Sequence, residues 1–97
     1  MTEFSISSSL QAEIDGMSIL QRVRGLPMHD QIVEAVRDAY AKLGTEARTC
    51  GEPRYHFRGM AMTVYVMTQP PLVFEYGVHD NAQVVVIRRI HRLGFTA

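Results

Sequence analysis

The sequence contains no tryptophan and a single cysteine, Cys50. One thiol cannot close an internal disulfide, so the fold must form without covalent staples, and the cysteine usage favours a reducing, cytoplasmic setting. Cys50 and His56 alone are too few ligands for a metal site, and no metal or cofactor is expected. No apolar run approaches the ~18–20 residues that cross a bilayer, which excludes a membrane-spanning helix and argues against a membrane partner. The opening Met1-Thr2-Glu3-Phe4 carries an acid and no basic run, unlike a secretory leader. A nucleophile elbow, a Gly-rich phosphate loop and paired catalytic carboxylates are all missing. So are internal repeats and low-complexity stretches.

What remains is ordinary globular material: 97 residues, 46% hydrophobic and 21% charged, with a formal net charge of zero. That length makes residues 1–97 one domain with one core. The charge is unevenly spread. Residues 1–52 hold eight acids against five bases, and residues 53–97 hold two acids against five bases. Nine of the ten cations are arginine, which forks onto phosphate or carboxylate better than lysine does. Either the second half presents a basic face to an anionic partner, or the two halves satisfy each other through ion pairs.

The hydrophobic pattern predicts an α+β fold. Phe4 and Ile6 alternate with Glu3, Ser5 and Ser7 as a short opening strand. Ser8 or Ser9 caps a helix in which Leu10, Ile14 and Met17, then Leu20 or Gln21, then Val23 or Arg24, follow helical spacing, and Gly25 with Pro27 stops it. A second helix runs from about Met28 to Leu43, with Ile32, Val36, Ala39, Tyr40 and Leu43 on one stripe and an Asp38–Lys42 pair on the other side; Gly44 ends it. The two helices are expected to form an antiparallel pair. From Arg54 the period changes to two. Tyr55 and Phe57 alternate with Arg54, His56 and Arg58, Gly59 marks a bulge or bend, and an extended stretch continues to Thr68. Gln69-Pro70-Pro71 breaks it, Leu72 to Val78 is the next strand, and Asp80-Asn81 makes a hairpin turn. The last strand runs through Val84-Val85-Val86-Ile87 to Arg92, near Leu93-Gly94, leaving a tail Phe95-Thr96-Ala97. The order is a short strand, a helix pair and a three-stranded antiparallel meander, with the helices on one sheet face.

Chemistry concentrates at the end of the last strand. Arg88, Arg89, His91 and Arg92 fall within five residues, and strict alternation puts Arg88 and Arg92 on one face with Ile90, and Arg89 and His91 on the other. An imidazole among guanidiniums can hold a phosphodiester and move a proton near neutral pH. A strand end leaving the core and becoming solvated has the same composition. A second basic cluster, Arg54-His56-Arg58, alternates on one face of another strand and would merge with the first if the strands were neighbours. Tyr65 and Tyr76 have the faces to stack a base, or to pack the core. Met60, Met62 and Met67 read as core or gap filling.

Those residues carry a resemblance. The opening strand, Leu20-Gln21-Arg22-Val23-Arg24-Gly25-Leu26-Pro27, the helix Gln31 to Val36, the polar loop, Leu72-Val73-Phe74-Glu75-Tyr76 and Val84 to Arg92 together resemble the RelE/ParE toxin superfamily, in order and length over nearly the whole chain. The resemblance implies the toxin of a type II toxin–antitoxin pair, neutralised by an antitoxin protein. Some members cleave mRNA on the ribosome as endoribonucleases; others inhibit DNA gyrase without cleaving anything. Carried over by position, His91 and Arg92 match the residues that close the last strand and contact or cleave RNA in the nuclease branch. Arg54, His56 and Arg58 lie where that branch sets basic residues on the first meander strand. On this reading His91, Arg92 and Arg58 are catalytic, while Arg54, His56, Arg88, Arg89 and Tyr65 bind substrate. The chain also departs from the family pattern. Pro71 stands where an Arg is frequent, no Tyr follows the terminal basic residues (Phe95 is the nearest aromatic), lysine is missing from the meander, and the net charge is zero. Those departures support a second reading from another class: a non-catalytic interaction domain, either a degenerate toxin or a homodimerising module.

Overall fold

A hydroxyl starts the first helix. The computed structural model describes residues 3–93, and in it helix α1 spans Leu10–Arg22 behind the strand β1, Ser5–Ser8. The Ser9 side chain accepts from the Ala12 amide at 3.1 Å and donates to the Arg88 carbonyl at 3.0 Å, so it caps the helix and ties it to the far end of the chain. Gly25 follows with a φ of 75°, the left-handed conformation that only glycine adopts cheaply, and the chain turns into helix α2, Met28–Glu46. The leader reading at Met1-Thr2 and the tail from Gly94 to Ala97 lie outside the described residues. Among the described residues no helix is long and apolar enough to cross a membrane.

Helix α2 runs through Gly44, which the sequence marked as its end. Leu43 and Ala47 are both 0% exposed, and burying that last turn outweighs the roughly 1 kcal/mol that an interior glycine costs. Lys42 reaches Gln69 at 2.8 Å instead of pairing with Asp38. Ile32, Ala35, Ala39 and Leu43 are buried, close to the predicted stripe, although Tyr40 is left half exposed.

For α1 the expectation is reversed. Leu10, Ile14 and Met17 are 73%, 45% and 60% exposed, and the buried residues are Ala12 and Ile19, followed by Val23. The small Ala12 and the polar Asp15 mark the inward side, because α1 lies beside the last strand and completes its backbone hydrogen bonds there.

The sheet has five strands in the order β1-β5-β4-β3-β2. Strand β2 spans Glu52–Phe57, β3 Met62–Gln69, β4 Leu72–His79 and β5 Val84–Arg92. The expected meander of three strands is thus a run of four. Residues Arg58–Met60 form a 3-10 turn, with Ala61 left-handed at a φ of 47°, and reverse the chain where a bulge or bend at Gly59 was expected. Pairing is antiparallel from β2 to β5, while β1 joins β5 in parallel, Ser5 opposite Val84 through Ser8 opposite Ile87. Met67, Leu72, Phe74, Tyr76, Val78, Val85 and Ile87 form the core with the helices. The opposite sheet face buries Met62 and Val64; Met62 crosses Gly77 so closely that a Cβ there would overlap its thioether. Met60, expected in the core, is 57% exposed.

Candidate functional site

One extra residue in β5 decides where its cations go. Tyr76 stands opposite Ile87 and Glu75 opposite Arg89, so Arg88 is a bulge residue without a partner of its own. The strict alternation read from the sequence therefore fails at Arg88: Arg92 shares the helix-covered face with Ile90 as expected, and Arg88 does not. Ile87 and Ile90 both meet the helix-covered face, three residues apart, opposite Tyr76 and Phe74. Arg92 stands opposite Leu72, and its guanidinium contacts the Met28 sulfur at 3.2 Å at the start of α2. Arg88 goes to the other face. Its guanidinium carbon lies 4.7 Å from the centre of the Phe57 ring, and its buried Nη1 has no hydrogen-bond partner.

Arg89 is held by α1. Its Nε donates to Asp15 Oδ2 at 2.9 Å, and the same oxygen accepts the Ile90 amide at 3.0 Å, while Gln11 donates to Oδ1 at 3.0 Å. Strand β1 covers β5 only as far as Ile87. Beyond it, Asp15 and Ser9 supply the partners that a neighbouring strand would have given. Burial of Asp15 works against its charge, but the hydrogen bonds from Arg89, Ile90 and Gln11 outweigh it and hold the carboxyl below its usual range.

The second cluster comes apart. Register shifts at Arg54, between Pro53 and Tyr55, and its guanidinium lies 4.0 Å from Glu52. Tyr55 and Phe57 stand opposite Val64 and Met62, on the face away from the helices. His56 stands opposite Thr63, and its Nε2 meets Asp80 Oδ2 at 2.6 Å, while Thr63 donates to Asp80 Oδ1 at 3.1 Å. These bonds, the one from His56 foremost, keep the Asp80 carboxyl below its usual range. Arg58 is exposed in the 3-10 turn. Arg54, His56 and Arg58 thus do not line one strand face, and β2 is separated from β5 by two strands, so the two clusters do not merge. Tyr65 stacks on Tyr76 with centroids 5.4 Å apart and planes within 9°. Tyr76 itself is buried and donates to the Ala47 carbonyl at 2.8 Å; burial is the main force raising its hydroxyl pKa.

What the structure does bring together is a groove of about 420 Å³ between α1 and the end of β5. Arg22 and Ser18 enter it from the helix, and Arg89, His91 and Arg92 from the strand, with Asp15 the acid among them. Of the expected site residues it gathers Arg89, His91 and Arg92 and leaves out Arg54, His56, Arg58, Arg88 and Tyr65. Arg22 was missed because it lies in the acidic half of the chain. The signal was its spacing: Asp15, Ser18 and Arg22 recur at helical intervals on the flank of α1, two turns from first to last. Among the described residues no group of His, Cys, Asp and Glu is arranged to hold a metal ion.

No protein-family model and no curated protein matches the sequence. Solved structures do match in shape. The chain superposes with a TM-score of 0.71 on a chain of the toxin–antitoxin complex RelBE2 from Mycobacterium tuberculosis, at 17% identity over 98% of this chain and 97% of that one. For the chromosomal ParDE system of P. aeruginosa the TM-score is 0.62, at 18% identity over 94% and 97%. For the archaeal RelE–RelB complex of Pyrococcus horikoshii it is 0.60, at 17% identity over 98% and 100%. The α+β fold is therefore the RelE/ParE fold, reached at a sequence distance where the likeness speaks for architecture.

Proposed function

We propose that this chain, with its RelE/ParE fold, is the toxin of a type II toxin–antitoxin pair and that an antitoxin protein binds and neutralises it in the cytoplasm. The observation that carries this reading is the end-to-end match to a chain of a toxin–antitoxin complex, over 98% of one chain and 97% of the other. The outward Leu10, Ile14 and Met17 of α1 add to it, since a contiguous apolar helix face in water suits a protein partner.

For the toxic step the geometry favours obstruction of a target, as in gyrase inhibition, over RNA cleavage. Cutting a phosphodiester needs an acid or base and its phosphate clamps within hydrogen-bond reach of one group. Here His91 and Arg92 lie at the end of β5, while Arg58 sits in the turn after β2 and His56 is paired with Asp80. Arg89 is paired with Asp15 and Arg88 lies against Phe57, which weakens their assignment as substrate clamps. One observation still favours cleavage: His91 is exposed and borders the same groove as Arg92 and Arg22.

Expression of the chain alone in a bacterial host is expected to arrest growth, and co-expression of its antitoxin to restore it. His91→Ala is expected to arrest growth as well as the parent does, with mRNA intact by primer extension. Loss of arrest in a folded His91→Ala protein, together with cleaved mRNA in the parent, would reinstate the nuclease. Normal growth at confirmed expression would favour the non-catalytic interaction domain, a reading that the zero net charge already supports.

A further inference from the structure

We propose that the groove between α1 and the end of β5 binds a phosphate monoester carried on a molecule of nucleotide size. The inference does not rest on the toxin reading. The groove's volume of about 420 Å³ falls in the range of small-molecule sites, which is roughly 300–1,000 Å³. Its two walls offer different donors. Arg22 and the Ser18 hydroxyl come from the helix, while His91 and Arg92 come from the strand, and Ile19 and Ile90 line it as well.

The acid in the groove does not compete for these donors. Asp15 accepts from Arg89, the Ile90 amide and Gln11, so its lone pairs are directed at groups already in place. The side chains of Arg22 and His91 form no hydrogen bond or ion pair with the described residues. A guanidinium offers a planar fork, and an imidazole and a hydroxyl offer single donors. Donors available on two walls of one groove suit a tetrahedral group with three terminal oxygens, whereas one carboxylate would be served by one fork.

The distribution of charge selects a monoester over a nucleic-acid backbone. A backbone needs cations spaced along a track, and it is attracted over distance by a basic protein. Here the cations gather at one point, those of β2 lie two strands away, and the net charge is zero.

The test is a titration of the full chain, followed by NMR and calorimetry, with inorganic phosphate, adenosine 5′-monophosphate, adenosine, and a dinucleotide that carries only a diester phosphate. Saturable one-site binding of phosphate and the monophosphate is expected, with shifts at Arg22 and His91. Adenosine and the diester are expected to bind about tenfold more weakly or worse, as the loss of a charge-assisted hydrogen bond implies. Arg22→Ala should weaken the monophosphate by about tenfold or more, and Arg37→Ala, outside the groove, by less than about twofold. Because Arg22 is exposed, its truncation should leave the circular dichroism spectrum unchanged. Unchanged affinity in Arg22→Ala would overturn the proposal. So would equal binding of adenosine or the diester, or equal competition by a glutamate-rich peptide, which would make the groove a protein-docking site. Growth arrest plays no part in these readouts, so this inference and the toxin reading can fail separately.

Discussion

Helix α2 turns Ile32, Ala35, Ala39 and Leu43 onto the sheet, whereas α1 turns Leu10, Ile14 and Met17 away from it. Both helices carry an apolar stripe at helical spacing, and periodicity alone treats them alike. The difference lies in what each helix rests on. Helix α2 lies over a face of β3 and β4, where large side chains interdigitate. Helix α1 lies along β5 past the end of β1, where the strand's backbone needs hydrogen-bond partners and close approach matters more than bulk. Ala12, Ser9 and Asp15 answer that need, and Leu10, Ile14 and Met17 are left outside. An apolar stripe thus shows that a helix has a partner, but the partner need not be its own sheet.

Truncations should show this contrast most strongly. Ile32→Ala and Leu43→Ala, at positions 1% and 0% exposed, are expected to cost about 2–5 kcal/mol by urea unfolding. Leu10→Ala and Met17→Ala should stay within about 0.5 kcal/mol of the parent. A Met17→Ala loss as large as that of Ile32→Ala would mean that α1 is turned inward, and the comparison would collapse.

Asp15→Ala should follow, at about 1–3 kcal/mol near neutral pH, because it leaves the Arg89 and Ile90 donors without their acceptor. Its acid dependence has a definite sign. The folded carboxyl titrates below its unfolded value of about 3.9, so the stabilisation is full above that pH and fades as the pH falls through the folded value. Comparing unfolding of the parent and of Asp15→Asn from about pH 6 down to about pH 3 should show the gap between them narrow with acid. A gap that widened would mean that Asp15 is not charged in the fold.

Ser9→Ala should cost about 1 kcal/mol, since it removes both the helix cap and the link to Arg88. The smallest effect expected is a gain: Ala61→Gly should stabilise by about 0.5 kcal/mol in thermal unfolding, because it relieves a left-handed alanine.

Much of this architecture was legible locally. Ser9 as a cap, Gly25 as a stop, Pro70-Pro71 as a break and Asp80-Asn81 as a turn are each decided by a residue's own backbone chemistry. The features that were not legible depend on distant partners. The bulge at Arg88 arises from the pairing of β5 with β4, and it takes Arg88 off the face that alternation had given it, while Arg92 stays with Ile90. The split of Arg54, His56 and Arg58 follows from the register of β2 on β3 and from Asp80, 24 residues beyond His56. The groove needed Arg22 and Arg92 to be close in space, which no spacing within either element announces.

The parallel pairing of β1 with β5 joins the first and the last strand of the described residues. On a ribosome both helices therefore emerge well before the seat for α1 exists, since Ile90 and the Arg88 carbonyl follow both helices and three further strands. Assembly has to wait until β5 has been made, and loop closure over so long a separation slows it further. A product that stops short of residue 84 lacks β5 altogether, and with it the place of β1 in the sheet. Completion of β5 thus becomes the step at which this fold first comes into being.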